Sequence, residues 1–152
     1  MALFPLNKKR EFFTPGQQQA MVSAIRKAEK NTSGEVRVFI ESKCRYVDAV
    51  DRAKEIFFSL QMQNTKDRNA VLLYMALDDH QLALFADEGI YQRLGAEYWN
   101  MEVKKIISAF TKDDYTGGIC VVVEDIGDAL KAEFPYESDD KNELPDEIIF
   151  GN

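Results

Sequence analysis

The chain has little with which to build a soft-metal, redox or nucleophile–histidine site. Its 152 residues include one histidine, His80, and two cysteines, Cys44 and Cys120. Zinc and other soft metals therefore lack a ligand set. The cysteines lie far apart and form no CxxC, so two free thiols in a reducing compartment are expected rather than a disulfide framework. Positive charge is also short. Lys and Arg number 19 against 26 Asp and Glu, a net charge of −7. A phosphate-backbone binder needs a basic face, so nucleic acid is excluded as a partner. No apolar run approaches the ~18 residues that span a membrane, so no membrane insertion is expected. Met1 to Leu6 is apolar but stops at Asn7-Lys8-Lys9-Arg10, too short and in the wrong order for a signal core. A cytoplasmic location follows as the expectation. P-loop, GxGxxG and HExxH patterns are missing, as are internal repeats and low-complexity segments.

What remains is ordinary for a globular domain, with 45% apolar and 30% charged residues. The stretch Thr65 to Ile90 organises it. An apolar run, Ala70 to Leu77, is joined to Gln81 to Ala86 through Asp78-Asp79-His80, and the pair reads as a β-hairpin. Thr14-Pro15-Gly16-Gln17 matches a capping box that opens a first helix, with Met21, Ile25 and Ala28 at helical spacing and Gly34 as its stop. Glu35 to Glu41 is the first strand, with Val36, Val38 and Ile40 facing one way and Glu35, Arg37, Phe39 and Glu41 the other. Val47 to Leu60 is the second helix. Its stripe is Val47, Val50, Ala53, Phe57 and Leu60, with Ile56 at the flank. Strand, helix, strand makes a βαβ unit, whose strands run parallel with a right-handed crossover. A run without alternation, Ala70 to Leu77, suits a strand covered on both faces. A third helix is expected from about Ile90 to Phe110, with Leu94, Val103, Ile106, Ile107 and Phe110 inside, Trp99 beside them and Gly95 as a break. A fourth runs from about Asp114 to Phe134, holding Ile119, Val122, Val123, Ile126 and Leu130, and Pro135 ends it. The organisation expected is a leader (residues 1–13) whose Phe4, Leu6, Phe12 and Phe13 dock on the domain, an α/β domain (14–135), and an acidic tail (136–152) ending in Ile148-Ile149-Phe150.

The strand directions bring carboxylates together. Glu35 leads the first strand and Asp67 precedes the second. Asp87 and Glu88 follow the antiparallel third strand. All three ends fall on one edge of the sheet, which collects Glu35, Asp67, Asp87 and Glu88, with Arg37 and Arg68 as competing partners. Hard divalent cations want several oxygens, and calcium takes about six to eight. Backbone carbonyls from Ala86 to Gly89 would add ligands. Against this stands the bland alternative: strand-end charges paired with Arg37, Arg68 or Lys66. Asp78-Asp79-His80 reads as a solvated turn, and Gly117-Gly118 as close packing at the start of the last helix.

The ordered set Gly34-Glu35-Val36-Arg37-Val38, Ala53 to Leu60, Thr65-Lys66-Asp67-Arg68-Asn69-Ala70-Val71-Leu72, Asp87-Glu88-Gly89-Ile90, Trp99, and Phe110 to Gly118 resembles the TPM-domain family. The resemblance covers about residues 14 to 135. It implies an α/β fold, a three-layer α/β/α sandwich around a short mixed β-sheet. Members include thylakoid-lumen proteins linked to photosystem repair and many bacterial proteins. Some are weak acid phosphatases and some bind calcium at an acidic surface site. Carried over by position, the family's strand-leading Glu is Glu35, its Asp before the buried strand is Asp67, and its corner is Asp87-Glu88-Gly89. Many members carry a signal peptide and a C-terminal membrane helix or Gly-rich tail. This sequence shows neither, and looks like a free-standing cytoplasmic bacterial form.

Three functional expectations follow. The first is a binding module holding a divalent cation, with Ca2+ favoured for its high and flexible coordination, at Glu35, Asp67, Asp87 and Glu88, with Asp113 or Asp114 as an additional ligand. The second is a weak metal-assisted phosphatase acting on phosphate monoesters. The third is an interaction module whose acidic tail docks on a protein partner or on the domain itself.

Overall fold

A strand that is apolar at every position has to be covered on both faces, and this requirement sets the architecture. The computed structural model describes residues 12–46, 48–136 and 148–151. Five described helices and four strands form a three-layer α/β/α sandwich. In chain order they are α1 (Pro15–Glu29), β1 (Glu35–Glu41), α2 (Ala49–Ser59), β2 (Ala70–Ala76), β3 (Gln81–Ala86), α3 (Glu88–Leu94), α4 (Ala96–Thr111), α5 (Tyr115–Glu133) and β4 (Ile148–Phe150). The sheet order is β3-β2-β1-β4. β1 runs parallel to β2, in register Glu35 with Ala70, and parallel to β4, while β2 and β3 are antiparallel.

All seven residues of β2 are buried. Val71, Leu73 and Met75 join Val36, Val38 and Ile40 beneath α1, α4 and α5. Leu72, Tyr74 and Ala76 pack under α2 through Ala53, Ile56 and Phe57. Thr14 forms the expected capping box with Gln17, and Met21, Ile25 and Ala28 are buried. Leader residue Phe13 is buried in the core, and Phe12 stacks on Phe150. Phe4 and Leu6 lie outside the described residues. Among the described residues, no helix is long and apolar enough to cross a membrane.

Several expectations change in detail. The third helix is two helices, because Gly95 sits at φ +84 and interrupts the ladder, and the first of them starts at Glu88 rather than Ile90. Ile107 is 48% exposed and Val50 47% exposed, because α4 and α2 turn those positions away from the sheet. The real contact face of α2 is Ala49, Ala53, Ile56 and Phe57, with Asp48 capping its start through the Val50 N–H; Val47 lies outside the described residues. The hairpin connection spans four turn residues, 77–80, with His80 left-handed at φ 53. Ile148-Ile149-Phe150 is a fourth strand, too short to show a period in sequence. The acidic residues from 137 to 147 lie outside the described residues.

The β1 face beneath α2 is not apolar. Glu41 there is buried and accepts from Arg52 Nε and Nη2, each at 2.9 Å, and from the Tyr74 hydroxyl. These bonds raise the Arg52 pKa, and burial followed by the Glu41 contact raises that of Tyr74. A buried carboxylate is tolerable only when its oxygens are satisfied in this way.

Candidate functional site

The loop before β2 and the start of α3 meet at one corner of the sheet. Asp87 continues the β2–β3 ladder, donating its N–H to the Ala70 carbonyl at 2.9 Å. Gly89 and Ile90 then donate to the Arg68 carbonyl at 2.8 and 3.3 Å. Arg68 is left-handed at φ 52, which turns that carbonyl toward α3. The approach is so close that a Cβ on Gly89 would lie 2.1 Å from the Asp67 carbonyl oxygen and 2.6 Å from that of Arg68. Only glycine fits there.

The four predicted carboxylates fall at the expected edge, but their side chains are differently engaged. Asp87 is almost fully buried and gives both oxygens to Arg68, to Nε at 2.7 Å and Nη2 at 2.9 Å. One of those oxygens also accepts from the Glu88 N–H at 2.8 Å. The Asp87 carboxylate holds the Arg68 guanidinium above its ordinary pKa. Glu88 is 64% exposed and 3.6 Å from Arg68 Nη1. Asp67 accepts from the Ser33 hydroxyl at 3.2 Å, and Ser33 in turn accepts from Asn69 Nδ2 at 3.1 Å. The Asn69 Oδ1 is buried with no hydrogen-bond partner among the described residues. Glu35 is buried at the first position of β1, opposite Ala70. Asp114 caps α5 through the Gly117 N–H at 3.0 Å, and Asp113 precedes it in a left-handed turn at φ 56. Among the described residues, no three His, Cys, Asp or Glu side chains as they lie form a group that could hold a metal ion.

Two open clefts flank the Arg68–Asp87 pair. One, of about 480 Å³, is lined by Lys66, Asp67, Arg68, Glu88, Gly89, Gln92, Arg93 and Phe134. Arg93 is anchored there, donating to the Glu133 carbonyl at 2.7 Å with its guanidinium 4.3 Å from the centre of the Phe134 ring. The other cleft, of about 420 Å³, is largely apolar and lies beside β3. Sequence reasoning missed Ser33, Asn69, Gln92 and Arg93. Arg93 sits one turn beyond Gly89 on α3, and starting that helix at Asp87 would have brought it to the cleft.

The fold is thus an α/β/α sandwich with an acidic corner clamped by one arginine. A TPM domain matches residues 6–129, and the chain belongs to the TPM-domain family. BA42, from the psychrophilic bacterium Bizionia argentinensis, is similar in NMR structure, with a TM-score of 0.86 and 39% identity over 95% of this chain and 99% of that one. The N-terminal domain of cg2496 from Corynebacterium glutamicum shares the fold at 12% identity, with a TM-score of 0.64 over 87% of this chain and 90% of that one. No curated protein sequence matches the chain.

Proposed function

We propose that this TPM domain is a divalent-cation-binding module whose site is the corner cleft, with calcium the favoured ion. The observation that carries this reading is that Asp67 and Glu88 line one open cleft, with Asp87 a single guanidinium away. The donors are all hard oxygens, with Asn69 linked to Asp67 through Ser33, and this chemistry suits calcium rather than a soft metal. Glu35 stands at the same sheet edge, opposite Ala70. Arg68 is the competitor. Because it holds both oxygens of Asp87, a cation and this guanidinium contend for the same carboxylate. A bound ion would supply positive charge that ties the 65–69 loop to the start of α3, stabilising the fold by mass action.

The test is a calcium titration of metal-stripped protein followed by amide NMR and by melting temperature. Shifts concentrated at residues 67–69 and 87–89, with a melting rise lost in the Asp67→Asn, Asp87→Asn double variant, are expected. Arg68→Ala should bind more tightly than wild type. A double variant that responds like wild type would place the ion elsewhere, and evenly spread small shifts would mean charge screening alone.

A second reading, weak metal-assisted hydrolysis of phosphate monoesters, draws on Lys66, Arg68 and Arg93 lining the same cleft beside Asp67. Turnover of a chromogenic phosphate ester that depends on added cation and falls in Asp67→Asn supports it. A rate equal to that of buffer removes it for the ester tried. The free thiols of Cys44 and Cys120 support a cytoplasmic setting for either reading, which recovery of the chain from the cell envelope would overturn.

A further inference from the structure

We propose that β3 is a docking edge for an extended segment of a partner protein, β-branched and uncharged at its centre and flanked by basic residues. Among the described residues β3 is the outermost strand on its side of the sheet. Its six residues, Gln81 to Ala86, pair with β2 in unbroken register. They include no charge, no proline and no bulge, the devices by which exposed edges are ordinarily guarded.

Two backbone bonds fix which groups of β3 face outward. Leu77 N–H donates to the Glu41 carbonyl at 3.0 Å, so Leu77 turns toward β1 and Ala76 toward β3. Asp87 N–H donates to the Ala70 carbonyl at the other end of the same strand pair. Antiparallel alternation then assigns Gln81, Ala83 and Phe85 to the bonds with β2. Leu82, Leu84 and Ala86 direct their N–H and C=O groups away from the sheet. None of these outward groups bonds another described residue outside the strand pairing.

The apolar cleft of about 420 Å³ lies over this edge. Residues from both helical layers line it, Val50 and Phe58 from α2 and Tyr91 and Trp99 from α3 and α4, as do Leu84 and Phe85 from opposite faces of β3. Only the outer margin of a sheet brings its two faces into one groove. Val50, Phe58 and Tyr91 are each 40–47% exposed. A strand added to β3 would place successive side chains alternately against α2 and against α3–α4, the pattern of β-strand addition.

Charge chooses between occupants. Asp78-Asp79 precede β3 and Asp87-Glu88 follow it, with the one guanidinium of Arg68 set against both of the latter. Pairing with a second copy about Leu84 would lay the Asp78–Asp79 end of each copy beside the Asp87–Glu88 end of the other, on chains already at −7. Like charges oppose that pairing, and they attract a segment with lysine or arginine at its ends.

The test uses the full chain, labelled for amide NMR, and a synthetic nine-residue peptide with two lysines at each end and five alternating valines and threonines between. Shifts concentrated at residues 82–86 are expected, with slowed hydrogen exchange at the Leu82, Leu84 and Ala86 amides. The same peptide N-methylated on its pairing side should bind at least about tenfold more weakly, since each lost hydrogen bond is worth about a factor of five to ten. Leu84→Pro, which removes an outward amide and none of the β2 ladder, should weaken binding similarly while the remaining spectrum is retained. No shift at 82–86 would overturn the proposal. So would equal binding of the N-methylated peptide, which would reveal charge contact alone. Protection of the outward amides by dimerisation of the unliganded chain would overturn it in favour of a second copy.

Discussion

Replacing Gly89 with alanine is expected to pry the 65–69 loop off α3. The added Cβ would sit 2.1 and 2.6 Å from the Asp67 and Arg68 carbonyl oxygens, which are backbone atoms with no rotamer to escape into. The loop must withdraw by about an ångström to restore ordinary contact. Overpacking of this kind costs about 1–3 kcal/mol. The two bonds accepted by the Arg68 carbonyl, from Gly89 and Ile90, stretch with it and add about 1 kcal/mol between them. Alanine returns about 1 kcal/mol through its better helix propensity. The balance is a loss of about 2 kcal/mol, which in a domain of this size lowers the melting temperature by about 4–8 °C. Gly95→Ala is the control. Nothing lies within 4 Å of its Cβ, but φ 84 with ψ 160 is a conformation almost confined to glycine, so backbone strain of about 1–3 kcal/mol is expected, with the Asp67 and Arg68 amides unmoved. Thermal melts and amide spectra of the two variants decide the matter. A Gly89→Ala protein melting at or above wild type, with the Asp67 and Arg68 amides unmoved, would refute the close approach and with it the shape of the corner.

Arg52→Ala should cost about 3 kcal/mol, the low end for breaking a buried pair, because Arg52 keeps one quarter of its side chain in solvent while leaving Glu41 buried; denaturant unfolding measures it, and a loss below about 1 kcal/mol would show Glu41 to be hydrated. Tyr74→Phe, which deletes one of Glu41's donors, should cost about 1.5–3 kcal/mol by the same assay, and no loss would mean water takes the hydroxyl's place. Glu102 is buried, and that burial raises its carboxyl pKa despite Lys105 at 3.1 Å. The folded state therefore binds this proton more readily than the unfolded chain, so its stability contribution grows as pH falls from neutrality through the raised value to the ordinary carboxylate range. Glu102→Gln should flatten that rise and exceed wild type in melting temperature at pH 7, whereas parallel curves for the two proteins would show that Glu102 titrates normally. Cys120, whose thiol burial pushes its pKa up, should alkylate slowly at pH 8 in the folded chain and at the free-thiol rate once unfolded; equal rates would deny the burial.

Much of this architecture was legible in the sequence because local chemistry and burial agree there. The Thr14–Gln17 box, the unalternating run of β2 and the alternation of Glu35 to Glu41 each reflect one short-range cause, and together they set the βαβ unit, the hairpin and the edge on which the acids collect. What escaped depends on partners distant in sequence. Val50 and Ile107 fit an apolar stripe by spacing, yet spacing does not say which side of the stripe is turned away from the sheet. The Glu41, Arg52 and Tyr74 network joins positions 11 and 33 residues apart, and no period connects them. At the corner, topology placed the carboxylates correctly along the edge, but side-chain direction was invisible. That Arg68 takes both oxygens of Asp87 follows from a left-handed residue in the loop, a conformation that arginine does not advertise.

Thr32 is tied to the Leu130 and Phe134 carbonyls, 98 and 102 residues away in the chain, and Gly127 leaves room for the backbone of Ala28. These contacts have a kinetic consequence. Each closes a loop of about a hundred residues, whose entropy must be met before the contact returns anything. The β2–β3 hairpin closes over four residues and is expected to form early; the seating of α1 on α5 carries the larger loop entropy and is expected to form in the rate-limiting step. Gly127→Ala, which crowds that seat, is therefore expected to slow refolding more than it hastens unfolding, and a chevron plot would separate the two limbs.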